Sequence, residues 1–112
     1  MDCLFCAIIS GAIPSTKLYE DDKMLVFKDI NPQAPFHVLA IPKAHIASVG
    51  AVKPDDAPIV GYIFTKIAEL APSWPLENGF RVISNCGPDA CQSVHHLHFH
   101  ILGGAQLSDK MA

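Results

Sequence analysis

The sequence predicts an α+β fold in which helices pack on an antiparallel sheet. Two segments carry apolar residues at helical spacing, and five short apolar segments, separated by turn residues, are typical of strands. Their order along the chain is helix, hairpin, strand, long helix, hairpin. Short connections between neighbouring strands favour antiparallel pairing, so we expect helices that cover one sheet.

The first half contains the short helix and three strands. The helix is predicted over residues 3–10, and Gly11 stands where a left-handed residue would end it. Its apolar positions are Leu4, Phe5, Ile8 and Ile9. Strands over 17–20 and 24–28 form a hairpin, and a third strand over 36–41 follows a loop with two prolines.

The second half contains the clearest helix and two more strands. Asp55 or Asp56 can cap this helix, Pro58 is tolerated in its first turn, and Pro72 ends it. Its apolar face is formed by Ile59, Val60, Ile63, Phe64, Ile67 and Leu70. The last two strands, predicted over 80–84 and 97–102, flank a turn over 85–89.

Length and composition predict a single folded domain over residues 1–112. Half of the 112 residues are hydrophobic, so a core can be filled and a disordered chain is excluded. A domain this short is marginal in stability, and dimerisation or a bound metal would help it. The formal net charge of −3 argues against a nucleic-acid surface that acts through bulk charge.

The apolar segments and the beginning of the sequence bear on location. The apolar runs are too short for a membrane span, and the first residues lack the basic region of a signal peptide. We therefore expect a cytoplasmic protein with reduced cysteines and with neither a membrane nor a nucleic acid as partner.

The most informative segment is a row of alternating histidines. His96, His98 and His100 alternate with Leu97, Phe99 and Ile101. In a strand the histidines would share one face while the apolar residues enter the core. The outer two would lie about 13 Å apart on a straight strand, too far for one metal ion to hold all three. A neutral imidazole can attack phosphorus, whereas solvated histidines on an exposed strand are the less favoured interpretation.

The sequence around these histidines resembles the histidine triad family. Residues 92–102, Gln-Ser-Val-His-His-Leu-His-Phe-His-Ile-Leu, are similar to its signature, His-x-His-x-His followed by apolar residues. Residues 27–37 and 41–45 resemble the Hint branch, the nucleotide-binding phosphoramidases. The resemblance covers about residues 3–104. It implies the HIT fold, which is a five-stranded antiparallel sheet with a long helix and a short N-terminal helix. It also implies a homodimer in which the two sheets pair to give ten strands.

The resemblance also implies catalytic roles for five side chains. His98 would be the nucleophile that takes the nucleoside monophosphate. His100 and His37 would bind the phosphate and polarise the site, and His96 is the first member of the triad. Ser93 would hydrogen-bond the leaving-group nitrogen or assist its protonation.

In addition to His98 and His100, the resemblance implies further residues as nucleotide contacts. Asn85 and the backbone around Gln92, Ser93 and Val94 would contact phosphate and ribose, and Asp29 would accept from the ribose hydroxyls. A purine pocket would be formed by Phe5, Ile8, Phe27 and Ile30. Plain core packing is the competing interpretation of these four residues, and Asp29 alone could equally be a turn residue.

The function implied is hydrolysis of purine nucleoside 5′-phosphoramidates, of the AMP or GMP type. The reaction would pass through a covalent nucleotidyl intermediate on His98 and would require no catalytic metal. One alternative is a dinucleoside polyphosphate hydrolase of the Fhit branch, which residues 29–35 and Ser93 disfavour. The other is a non-catalytic nucleotide-binding, zinc-stabilised interaction protein.

A second group of residues predicts a structural zinc site. Cys3 and Cys6 have metal-ligand spacing, which gives half of a tetrahedral site, and His45 is a candidate third ligand. Some bacterial members of the resembled family hold zinc with such a set, and this resemblance implies His96 as the fourth ligand. A reduced cysteine pair that only packs is the alternative. Cys86 and Cys91 are not expected to join, and Cys91 stands where the Hint pattern usually has glycine.

Overall fold

The computed structural model describes residues 3–111 and confirms the α+β fold. The helices are α1 (Leu4–Ser10) and α2 (Ala57–Leu70). The strands are β1 (Lys17–Glu20), β2 (Met24–Lys28), β3 (Phe36–Pro42), β4 (Phe80–Ile83) and β5 (Phe99–Gly103). All pairings are antiparallel, and the sheet order β1-β2-β3-β5-β4 places β3 and β5 side by side near the middle.

The start of the last strand and the capping of the long helix differ from the sequence prediction for local reasons. The last strand begins at Phe99 rather than Leu97, because the Leu97 N–H donates to the Ile46 carbonyl (2.6 Å) instead of joining the ladder. Asp56, one of the two predicted candidates, is the N-cap residue of α2, but its side chain makes no capping hydrogen bond to this helix. The carboxylate of Asp56 instead accepts from the Lys53 N–H (3.0 Å) and closes the short 3₁₀ turn that precedes α2.

The short helix has one predicted and one unpredicted end. Gly11 adopts φ 85° and donates its N–H to the Ile8 carbonyl (3.1 Å), as expected for a glycine that ends a helix. At the other end the Cys3 thiol accepts from the Cys6 N–H (3.3 Å). The thiol therefore occupies the position where serine or aspartate usually caps a helix.

The sheet separates two apolar clusters. On one face Val38, Phe99 and Ile101 pack with Ile63 and Ile67 of α2. The other face is covered by α1, whose Phe5 and Ile8 pack on a group of strand residues. That group consists of Leu25, Phe27, Leu39 and Ile41. Because side chains alternate along a strand, His37 and His100 also belong to the face that α1 covers.

Neither helix in residues 3–111 has the length and apolar character that a bilayer crossing requires.

The turn between β1 and β2 is fastened to α2 through Asp21. Its carboxylate accepts from the hydroxyls of Tyr19 (2.7 Å) and Tyr62 (2.5 Å) and from the backbone N–H groups of Lys23 (2.8 Å) and Met24 (2.9 Å). Partial burial raises the pKa of Asp21, but these four donors together lower it well below its usual range. The ionised carboxylate therefore stabilises the fold.

We expect Asp21→Asn to lower the free energy of unfolding at pH 7 by about 2 kcal/mol, because an amide cannot accept from all four donors. The folded-state pKa is depressed, so this stabilisation is present above about pH 4 and declines as the pH falls further. Urea denaturation at a series of pH values measures the difference. The exposed neighbour provides the control, Asp22→Asn, and equal losses in the two variants at pH 7 would contradict this account.

Candidate active site and metal site

A cavity of about 340 Å³ lies between α1 and the sheet. Its volume is within the range of small-molecule sites, about 300–1,000 Å³. Most of the nucleotide contacts expected from the sequence lie in its wall: Phe5, Ile8, Phe27, Asp29, Ile30, Ser93, Val94, His98 and His100. The wall also contains six residues that were missed as site residues: Leu4, Ile13, Pro14, Ser15, Lys28 and Leu39. Their only signal was their position on or next to α1, β2 and β3.

The cavity has an apolar part and a polar part. Phe5, Ile8 and Phe27 are buried, and the rings of Phe5 and Phe27 meet edge to face with centroids 5.4 Å apart. Ile30 is 98% exposed at the rim, so it cannot be a core residue. The imidazoles of His98 and His100 lie in the polar part with centroids 5.1 Å apart. The cavity can therefore accept a flat apolar group and a polar group at the same time.

The orientation of His98 is fixed by a backbone carbonyl. Its Nδ1 lies 2.6 Å from the His96 oxygen, and a carbonyl can only accept, so the proton is on Nδ1. The neutral ring then has an unprotonated Nε2 with a free lone pair. The side chain is 5% exposed and the ring of Phe5 packs edge-on against it at 5.1 Å. This tautomer is the one that a nucleophile or a general base requires.

His37 and His100 form a second chain of hydrogen bonds. The Gln33 N–H donates to His37 Nδ1 (3.0 Å), which places the His37 proton on Nε2. That Nε2–H donates to His100 Nδ1 (2.9 Å), with the Asp29 carboxylate 3.4 Å from the same nitrogen. Neutral His100 therefore has its proton on Nε2 and can donate it to an anionic group.

The charge states of these two rings follow from their burial. Burial lowers the pKa of His37, and the nearby carboxylate of Asp29 only partly opposes it. Burial, followed by the neighbouring rings of His98 and His37, lowers the pKa of His100 to about 4, again against Asp29. Near neutral pH both rings are neutral, so the donor directions described above hold.

The four expected metal ligands meet at one point beside the cavity. Cys3, Cys6, His45 and His96 each offer a ligand atom, and all four atoms lie within 4.8 Å of one another. The His45 and His96 Nδ1 atoms are 3.2 Å apart, and the sulfur–Nδ1 distances are 3.3, 3.4 and 3.6 Å. Tetrahedral zinc places N···N pairs about 3.3 Å and S···N pairs about 3.6 Å apart, from its usual bond lengths.

The protonation pattern of His96 also fits a metal. Its Nε2 lies 2.8 Å from the Pro42 carbonyl, so Nε2 carries the proton and Nδ1 presents a lone pair to the cluster. The side chain is fully buried, and burial lowers its pKa, which favours the neutral, ligating form. The donor set and its spacing therefore match a closed, tetrahedral zinc site.

Asp29, His37 and His100 also lie close enough to be considered as metal ligands. His37 Nδ1 already accepts from the Gln33 backbone, so Nε2 is protonated and has no lone pair to offer. This cluster is therefore a hydrogen-bonded chain, and its chemistry differs from that of the cysteine-containing cluster.

Comparison with known proteins agrees with this geometry. A family model described as the scavenger mRNA decapping enzyme C-terminal binding domain matches residues 2–112. A 14 kDa zinc-binding protein of Zea mays is 47% identical over 107 residues, covering 94% of this chain and 84% of that protein. An adenylylsulfatase of Arabidopsis thaliana is 43% identical, covering 94% of this chain and 73% of its own length. The structure of a HIT family hydrolase from Clostridium thermocellum superposes with a TM-score of 0.94 at 45% identity, covering 99% and 97% of the two chains.

The chain belongs to the histidine triad family. This confirms the resemblance seen in residues 92–102. The alternation expected there also holds, since Leu97, Phe99 and Ile101 are buried in the α2-facing core. The histidines point to the other face, but they serve two adjoining sites, because His96 is in the metal cluster and His98 and His100 line the cavity.

Two residues expected to contact a nucleotide hold the preceding loop together in this histidine triad protein. The Gln92 amide accepts from the Gly87 N–H (2.9 Å) and donates to the carbonyls of Ala47 (2.8 Å) and Val94 (3.1 Å). The Asn85 amide donates to the Ala90 carbonyl. Neither residue lines the cavity. Their contact with a nucleotide stays a prediction, and their side chains are already engaged.

Cys91 has a backbone conformation that favours glycine. It adopts φ 60° and ψ 39° after the 3₁₀ turn over Pro88–Ala90, and it is the one residue other than glycine with positive φ among residues 3–111. A Cβ in this region costs roughly 1–2 kcal/mol. The departure from the glycine of the family pattern therefore places strain next to the Gln92–Val94 segment.

We expect Cys91→Gly to raise the free energy of unfolding by about 1 kcal/mol, because glycine adopts this conformation without strain. The matched control is Cys86→Gly, which replaces another exposed cysteine of the same loop at a negative φ and is expected to lower stability. Urea denaturation of both variants makes the comparison. A loss of stability in Cys91→Gly would show that the backbone at this position is not strained.

Proposed function

We propose that this protein hydrolyses purine nucleoside 5′-phosphoramidates through a covalent nucleotidyl intermediate on His98. Hydrolase chemistry is supported at the level of the family by the relatives named as a HIT family hydrolase and an adenylylsulfatase. The single observation that carries the proposal is the unprotonated Nε2 of His98 in a ligand-sized cavity, fixed by the His96 carbonyl. A free imidazole lone pair in that position suits attack on phosphorus.

The cavity provides complementary groups for each part of a nucleotide. The purine would occupy the apolar part formed by Phe5, Ile8 and Phe27, with Ile30 folding over it at the rim. The Asp29 carboxylate, whose Oδ1 accepts from the Asn31 N–H (2.8 Å), would accept from the ribose hydroxyls. These contacts would bring the 5′-phosphorus to the histidines.

Donors for the phosphate lie on two sides of His98. The His100 Nε2–H would donate to one phosphate oxygen, supported by the His37 relay behind it. The backbone N–H groups of Ser93 and Val94 make no backbone–backbone hydrogen bond among residues 3–111, so they would be able to donate to another. Such donors stabilise the charge that accumulates on the phosphorus oxygens as the reaction proceeds.

The reaction would take place in two balanced displacements. In the first, His98 Nε2 forms a bond to phosphorus, the phosphorus–nitrogen bond breaks, and the leaving amine takes a proton with the help of the Ser93 hydroxyl. The positive charge on the ring is stabilised because Nδ1–H still donates to the His96 carbonyl. In the second, water attacks phosphorus and the phosphorus–Nε2 bond breaks, which restores the Nε2 lone pair and releases the nucleoside monophosphate. The proton that the water loses replaces the one that the amine took in the first displacement.

The metal site has a structural role in this proposal. Cys3, Cys6, His45 and His96 would hold zinc through four protein ligands, so the ion would cross-link α1 to the segments around it. The proposed catalytic groups are all side chains and backbone amides of the chain.

The homodimer remains a prediction. Apolar side chains that are partly exposed on α2 and β4 favour pairing along this helix and the edge strand: Phe64, Phe80 and Ile83.

The test is hydrolysis of adenosine 5′-phosphoramidate by the wild-type protein and by His98→Ala. We expect the variant to lose at least about 10³-fold in kcat, because it lacks the nucleophile, and still to bind AMP. His95→Ala is the matched control, since His95 is an exposed histidine of the same segment outside the cavity.

Two further substrates separate the alternatives in the same assay. Turnover of a diadenosine polyphosphate but not of the phosphoramidate would favour the dinucleoside polyphosphate hydrolase. Hydrolysis of adenosine 5′-phosphosulfate tests whether the chain shares the adenylylsulfatase activity for which its Arabidopsis relative is named. AMP binding without turnover of any of the three substrates would contradict the enzyme proposal and favour the nucleotide-binding protein.

A further inference from the structure

We propose that the cysteine–histidine metal site controls the nucleotide cavity, so that a metal ion and a nucleotide bind cooperatively. The inference rests on the proposed function, because it requires a nucleotide in the cavity beside His98. Two independent connections, one through α1 and one through the His96 backbone, join the two sites.

The first connection is that α1 serves both sites. Cys3 and Cys6, at its beginning, offer their thiols to the metal cluster, whereas Phe5 and Ile8, on the same turns, form part of the cavity wall. A helix of 7 residues is too short to be stable by itself. Its position on the sheet therefore depends on the two buried apolar side chains and on the cluster at Cys3 and Cys6. A metal ion would add a cross-link from α1 to His45 and His96.

The second connection is that His96 serves both sites with different atoms. Its Nδ1 belongs to the metal cluster, and its Nε2–H donates to the Pro42 carbonyl. Its own backbone carbonyl accepts from His98 Nδ1. A metal bond would hold the His96 ring from a second side, and this would fix the carbonyl that orients His98. His96 would therefore act as a positioning residue for His98.

The ring of Phe5 lies where the two connections meet. Its centroid is 6.0 Å from that of His96, 5.1 Å from that of His98 and 5.4 Å from that of Phe27. One side chain therefore contacts a residue of the metal cluster, the proposed nucleophile and the apolar part of the cavity. A metal ion that holds α1 on the sheet would therefore also hold the apolar wall and the packing of His98.

Coupling of this kind is reciprocal. If metal binding strengthens nucleotide binding by some factor, the nucleotide must strengthen metal binding by the same factor. Coupling free energies between sites usually correspond to factors of about 5–150, and we expect about tenfold for sites that share a helix and a backbone carbonyl.

The experiment measures both sides of this relation without using turnover. The AMP dissociation constant is measured by calorimetry on protein with equimolar Zn²⁺ and on the same protein after chelation. The Zn²⁺ dissociation constant is measured by competition with a chelating indicator, with and without saturating AMP. We expect AMP to bind about tenfold more weakly without the metal and Zn²⁺ to bind more weakly by the same factor without AMP.

Variants separate coupling from a general loss of fold. His45→Ala removes an exposed residue of the metal cluster that lies outside the cavity wall. At Zn²⁺ concentrations that load the wild type we expect this variant to bind AMP more weakly than the wild type, and without Zn²⁺ we expect the two to bind AMP equally. His95→Ala, an exposed histidine outside the cluster, is expected to leave both constants unchanged. Phe5→Leu keeps the ligands and an apolar side chain, so it should still bind Zn²⁺. Its coupling factor should be smaller than that of the wild type, because only the connection through the His96 backbone is left unchanged. Circular dichroism checks that each form is folded.

The outcomes distinguish this inference from the function on which it rests. Equal AMP affinity in the metal-loaded and metal-free folded protein would overturn the coupling and leave the nucleotide site intact. Failure of both forms to bind AMP would overturn the nucleotide site itself. A coupling factor in Phe5→Leu as large as in the wild type would overturn the role of Phe5.

Discussion

The hydrogen bond from His98 Nδ1 to the His96 carbonyl is the interaction on which the rest of the site depends. It determines which nitrogen of His98 has a free lone pair, and it would keep that ring oriented when the ring becomes positively charged. The carbonyl belongs to the residue whose side chain joins the cysteine–histidine cluster. The groups proposed to react and the groups proposed to hold a metal are therefore fixed by the same stretch of backbone.

The sheet explains how such different environments exist within a few residues. Alternation along β3 and β5 directs apolar side chains toward α2, while His37 and His100 project to the side covered by α1. The direction of the hydrogen bond from His37 to His100 is set outside the sheet, because the Gln33 N–H donates to His37 Nδ1. At His98 the His96 carbonyl determines which ring nitrogen is protonated, and at His37 and His100 the Gln33 N–H does so. Near neutral pH this pattern requires no charged histidine at His37 or His100.

Local patterns in the sequence were sufficient for the elements and for the alternation of the three histidines with buried apolar residues. Periodicity located both helices and five strands, and spacing together with family resemblance identified the four residues of the metal cluster. Long-range contacts determined what could not be predicted. The start of β5 depends on Ile46, and the engagement of the Gln92 amide depends on Ala47, a residue distant in sequence. The positive φ of Cys91 was signalled only by the glycine expected there.

The tautomer of His98 is the most direct test of this account. Nitrogen-15 NMR of the histidine rings at neutral pH, with His98→Ala used to assign the signal, distinguishes a protonated nitrogen from one with a lone pair. We expect His98 to be protonated at Nδ1 and unprotonated at Nε2, and His37 and His100 to show the opposite pattern. A His98 ring protonated at Nε2 would contradict the account, because the nitrogen that faces the cavity would then have no lone pair for attack on phosphorus.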